Sequence, residues 1–157
     1  FELAHSGAHP PFSAMAVAAG AHDAFADVRT GKIQGQELVQ VVFDDRQYEA
    51  LAKVAAALMA RFPKIENTFP RRPGVDDSLS DKCAQTEEDI TTVAAQLVIP
   101  HKLEDERLAT FRGILGHYHV QTNKIDPGPA FDWARLRGDV ARLLSPRGET
   151  VGEKNSS

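Results

Sequence analysis

Between positions 45 and 62, apolar residues recur at three- and four-residue steps: Tyr48, Leu51, Ala55, Leu58, Met59 and Phe62. That spacing predicts an amphipathic helix. Asp44 or Asp45 can cap its start, and Pro63 stops it. Trp133, Leu136, Val140, Leu143 and Leu144 form a second such face, which predicts a helix over 131–144 ended by Pro146. A weaker helix opens at Thr86–Asp89, with acids where the helix dipole favours them, and Pro100 ends it. Leu38–Phe43 reads as a short strand, Gly31–Gly35 as a turn before it, and Gly113–Val120 as a strand-like approach to something polar. Phe1–Ala4 is compatible with a short buried strand. Residues 14–26 suit an Ala-rich helix broken by Gly20, residues 103–112 suit a helix or a loop, and 63–85 read as a surface loop. Residues 147–157 read as a frayed tail.

The chain has 157 residues, 42% of them hydrophobic, which suits one domain with one core. Charged residues make up 25%, against wholesale disorder. The formal net charge is −4 with no basic stripe, so a nucleic-acid partner is not expected. No apolar run approaches the roughly 20 residues that span a bilayer. The lone cysteine, Cys83, excludes an internal disulfide framework and a cysteine-based zinc knuckle. The chain opens on Phe1-Glu2-Leu3 without a basic and then apolar leader. It reads as a piece of a longer protein, and its compartment stays open.

The chemistry is concentrated in Gly116-His117-Tyr118-His119 and the following Lys124-Ile125-Asp126-Pro127-Gly128-Pro129. A neutral imidazole and a carboxylate are good zinc ligands, and catalytic zinc sites commonly use three protein ligands and one water. His117 and Asp126 are nine residues apart, so one loop can bring both to one ion. Pro127 and Pro129 stiffen the backbone behind Asp126. Lys124, two residues before Asp126, shares its face if the stretch is extended, and an ammonium there can stabilise an oxyanion. The same residues also suit ordinary surface or core roles. His117 and His119 alternate, so one can be buried and the other solvated.

Gly116-His117 followed by Lys124-Ile125-Asp126-Pro127-Gly128-Pro129-Ala130-Phe131-Asp132-Trp133 strongly resembles the C-terminal signature of zinc-dependent N-acetylmuramoyl-L-alanine amidases of type 2, relatives of the peptidoglycan recognition proteins. Phe1-Glu2-Leu3 resembles the end of that family's central strand. Gln47-Tyr48-Glu49-Ala50-Leu51 resembles the start of its next helix, and Phe62-Pro63 that helix's end. The likeness runs with gaps from residue 1 to about 144.

The resemblance implies an α/β fold, a central mixed β-sheet flanked by α-helices, over residues 1–146. Residues 5–42 and 66–112 would be expansions within it. It implies hydrolysis of the amide between N-acetylmuramic acid and L-alanine in peptidoglycan or muropeptides, as in cell-wall catabolism. His117 and Asp126 resemble zinc ligands, Lys124 the residue that polarises the substrate carbonyl, and Glu2 the glutamate that takes a proton from zinc-bound water. The family's first zinc-ligand histidine falls on a strand expected upstream of Phe1. His5, His9, His22 and His101 have no motif placing them at a metal. His119 is the alternative to His117, since two histidines of a His-x-His strand can share one ion. Trp133 and Phe131 suit the core, although Trp133 can also line a sugar site. A non-catalytic peptidoglycan-binding module of the same fold is the rival to catalysis. Without its upstream strands, the piece alone is expected to be partly unfolded, dimeric or aggregating, and inactive.

Overall fold

A computed structural model describes residues 8–10, 27–72 and 98–145. Glu2, His5, His22, Cys83, most of the helix expected between Thr86 and Pro100 and the tail 147–157 lie outside the described residues; at the end of that expected helix, Val98 forms a β-bridge with Arg71 instead.

Three strands form an antiparallel sheet in the order β1-β3-β2: β1 Ala8–His9, β2 Val28–Ile33 and β3 Gln36–Val41. β2 and β3 are a hairpin in register from Val28↔Val41 to Ile33↔Gln36. Its two-residue turn, Gln34 (φ 53°) and Gly35 (φ 79°), has the paired positive φ that matches strand twist. The turn is therefore shorter than the expected 31–35, and Gly31–Ile33 belong to β2. The parallel pairing of a mixed sheet is not seen among the described residues.

Helix α1, Asp45–Arg61, is where the periodicity places it. Asp44 caps it: its side chain accepts from the Gln47 amide at 2.8 Å, while its own amide donates to Gln47 Oε1 at 2.9 Å. The buried face is Tyr48, Ala52, Ala55, Ala56 and Met59, so it is rotated from the expected one, and Leu58 and Phe62 are exposed. Helix α1 packs against α4, Trp133–Leu144. Helix α4 buries Trp133, Leu136 and Val140 but leaves Leu143 and Leu144 exposed. Residues 105–110 form the short helix α2, with none of its residues buried.

Gly113–Val120 does not become a strand. His117–Val120 is a single helical turn, α3, capped at Gly116. Tyr and Val favour strands in a half-buried sheet, but local hydrogen bonds decide here. The His119 amide donates to Gly116 O at 3.0 Å, and the Gly116 amide donates to His119 Nδ1 at 2.8 Å. One core joins sheet and helices: Ile33 and Leu38 from the hairpin, Phe43, Tyr48 and Met59 around α1, and Tyr118, Phe131, Trp133 and Val140 beyond.

Candidate functional site

His117 and Asp126 meet at the surface. His117 Nδ1 lies 3.5 Å from Asp126 Oδ2, and the side chains are 48% and 67% exposed. Two features bring them together. The Tyr118 amide donates to Asp126 O at 3.3 Å, which closes the loop across the first turn of α3. Gly116 lies under Pro127: a Cβ there would sit 2.8 Å from Pro127 Cδ and 3.2 Å from Asp126 O. A side chain at 116 would force the Asp126 loop off the helix. The Asp126–Pro127 peptide is cis.

The geometry suits a shared ion. With ordinary zinc–nitrogen and zinc–oxygen lengths of about 2.0–2.2 Å, donors 3.5 Å apart subtend about 115° at the metal, near the tetrahedral angle. Among the described residues, no group of three His, Cys, Asp or Glu side chains joins into a complete metal-holding set. Lys124 is half-buried and precedes Ile125, which packs on the core, while Asp126 on the far side of Ile125 is exposed.

His119 is not an alternative ligand. It is completely buried, and both ring nitrogens face backbone groups. Nδ1 accepts from the Gly116 amide, which leaves the proton on Nε2, 2.9 Å from Ile99 O. Burial drives its pKa down to about 4, so the ring is neutral. Successive positions i and i+2 fall on opposite sides of a helical turn. That is why one histidine of the pair is buried and the other exposed, as alternation suggested, though on a helix rather than a strand. His101 is exposed, with Nδ1 2.9 Å from Lys102 O.

Trp133 is a core residue. It packs against Phe131 with ring centroids 4.9 Å apart, and its ring edge approaches the would-be Gly116 Cβ at 3.2 Å. The Trp133 indole N–H donates to the Tyr118 hydroxyl oxygen, and burial raises the Tyr118 pKa well above that of a free phenol. Helix α1 also reaches this region, because the Asp132 amide donates to Tyr48 Oη at 2.7 Å.

Two glutamines absent from the sequence reading hold the loop and helix that carry the pair. Gln40 is only 3% exposed. Its Nε2 donates to Pro127 O at 2.8 Å, and its Oε1 accepts from the Ala130 amide at 2.9 Å. Gln34 Nε2 donates to Tyr118 O at 2.9 Å and to Gln121 O at 3.0 Å. A signal for Gln40 was present: alternation from Leu38 puts residue 40 on the inward face, where a polar side chain needs partners. Gln34, at a turn, carried none.

No family model matches the chain, and no curated protein or solved structure matches it either. Among the described residues, no helix is long and apolar enough to cross a membrane.

Proposed function

We propose that this protein is a zinc-dependent amidase that cleaves the bond between N-acetylmuramic acid and L-alanine in peptidoglycan or a muropeptide. The observation that carries this reading is the 3.5 Å approach of His117 Nδ1 to Asp126 Oδ2. It joins the two positions that the Gly-His and Lys-x-Asp-Pro-Gly-Pro pattern assigns to zinc. The reading includes the α/β fold with a mixed sheet, to which the described hairpin and flanking helices would belong.

His117 and Asp126 would hold the ion with an upstream histidine. Zinc at such a site supplies Lewis acidity, which makes water a nucleophile at neutral pH. Glu2 takes the proton released as water attacks the amide carbon and returns it to the leaving amine of L-alanine. The Lys124 ammonium stabilises the negative charge that develops on the carbonyl oxygen. The 3.5 Å pair lies on an exposed face, within reach of a polymeric or a small substrate.

The test uses the full-length protein, with metal content and release of L-alanyl peptide from a muramoyl-peptide as readouts. His117→Ala and Asp126→Ala are expected to lose zinc and activity together. Glu2→Gln and Lys124→Ala are expected to keep zinc and slow turnover by about 10²–10⁴-fold and 10²–10³-fold. Full zinc occupancy in both ligand variants overturns the assignment. Binding of peptidoglycan by a wild type that releases no peptide would point to the non-catalytic module instead.

A further inference from the structure

The His117–Asp126 pair, with both side chains exposed, is carried by two short pieces of chain. Helix α3 is one turn, and the Asp126 loop has no regular structure. Both are gripped by the β2–β3 hairpin, over 80 residues away in sequence.

On the loop side, Gln40 uses both ends of its amide, on Pro127 O and the Ala130 amide. Gly128 lies between these two contacts at φ 93°, and a Cβ there would stand 2.2 Å from Gln40 Oε1. The bond to Pro127 O is made one residue after Asp126. On the helix side, Gln34 binds Tyr118 O and Gln121 O, and its Oε1 accepts from the Lys102 amide at 3.4 Å. Tyr118 directly follows His117. Gln40, buried and satisfied at both ends of its amide, is rigid, because either lost bond strands a desolvated partner, whereas Gln34 is only half-buried.

We infer that the β2–β3 hairpin is the alignment frame of the metal site: Gln40 is a positioning residue for Asp126, and Gln34 for His117. This rests on the zinc reading, since alignment matters only if both donors meet one ion. Neither glutamine touches the ion or substrate. Each acts by fixing the backbone next to a ligand, and groups that orient ligands typically change metal affinity by about 10–100-fold.

The experiment compares Gln40→Met, Gly128→Ala and Gln34→Ala with wild type in the full-length protein. Zinc affinity is measured by chelator competition, and amide exchange is measured on the metal-free protein. Gln40→Met keeps side-chain length and removes both hydrogen bonds. Gly128→Ala attacks the same clamp from the loop, so the test survives if one variant fails to fold. Protection of the α1 amides serves as the folding control. The expected result is zinc affinity lower by about 10–100-fold in Gln40→Met and Gly128→Ala, with a smaller loss in Gln34→Ala. The Tyr118 amide, bonded to Asp126 O, should exchange at least about tenfold faster while α1 stays protected. Wild-type zinc affinity in folded Gln40→Met or Gly128→Ala overturns the frame. If the wild type itself binds no zinc, the amidase reading fails and exchange alone decides. Faster Tyr118 exchange then supports the frame, and an unchanged rate overturns it.

Discussion

The α1–α4 helix pair and the hairpin–loop region are held by different physics. The two helices pack together and bury small and apolar side chains in one core, Ala52, Ala55, Ala56 and Met59 from one and Leu136 and Val140 from the other, and each begins at a side-chain cap. The hairpin–loop region contains the two buried polar residues of the described core, Gln40 and His119, both bonded to backbone groups. Apolar contacts are non-directional, so a packed helix pair can shift slightly at small cost. A buried hydrogen bond is directional, and its loss leaves a desolvated group unpaired. The His117–Asp126 pair sits on the region that cannot shift cheaply.

The sharpest way to break this contrast is to empty the polar side of it. His119→Ala would strand the Gly116 amide and Ile99 O and open a cavity next to Trp133. The expected loss is about 2–5 kcal/mol of unfolding free energy, with zinc affinity falling as well because Gly116 caps α3. Urea denaturation with metal titration measures both. A His119→Ala protein as stable as wild type would show that the region is no more constrained than the helix pair.

The converse change tests the helix pair. Ala52→Leu adds bulk where Ala52 is almost fully buried in the core and should cost about 1–3 kcal/mol. Zinc affinity should stay within about twofold of wild type, since among the described residues α1 meets the loop through Tyr48, whose Oη accepts from the Asp132 amide and whose ring packs on Phe131. A tenfold loss of zinc with a modest loss of stability would mean that the two regions are one mechanical unit.

The contrast also explains what could be read from the sequence. Helices α1 and α4 were legible because their information is local: a period near 3.6, an Asp cap before α1 and a proline beyond each end, whereas the Asp132 cap of α4 went unread inside the expected 131–144. Even so, the exact face of α1 was missed, because Leu51 and Leu58 suggested a stripe that tertiary packing moved onto the alanines. His117 and Asp126 were legible through motif spacing, and they do meet. The frame was not, because Gln34 and Gln40 act across more than 80 residues and one glutamine has no periodic signature. Helix α3 was misread because the Gly116–His119 exchange of hydrogen bonds outweighs the strand preference of Tyr118 and Val120.

A smaller effect is expected at the α1 cap. Asp44→Ala removes the acceptor for the Gln47 amide and breaks the reciprocal bond pair. Thermal denaturation should show a loss of about 0.5–2 kcal/mol and no change in zinc affinity.

The smallest expected effect lies at the solvent edge of the helix pair. Arg135 Nη2 reaches Asp45 Oδ1 at 2.7 Å, and its guanidinium lies 4.3 Å from the Tyr48 ring centroid. Asp139 approaches Arg135 Nε at 3.7 Å. Asp45 is 91% exposed, so its carboxylate gives up little hydration in the pair and salt screens it. Asp45→Asn should therefore cost no more than about 1 kcal/mol, and the difference should vanish at high salt. Arg135→Ala should cost more, because it also removes the contact with the Tyr48 ring, worth about 0.5–1 kcal/mol at an exposed site. A double-mutant cycle on Asp45 and Arg135, run by urea denaturation at low and high salt, separates the two contributions. A salt-insensitive coupling above about 1 kcal/mol would show that the edge of the helix pair, like the loop region, depends on directional contacts rather than on packing.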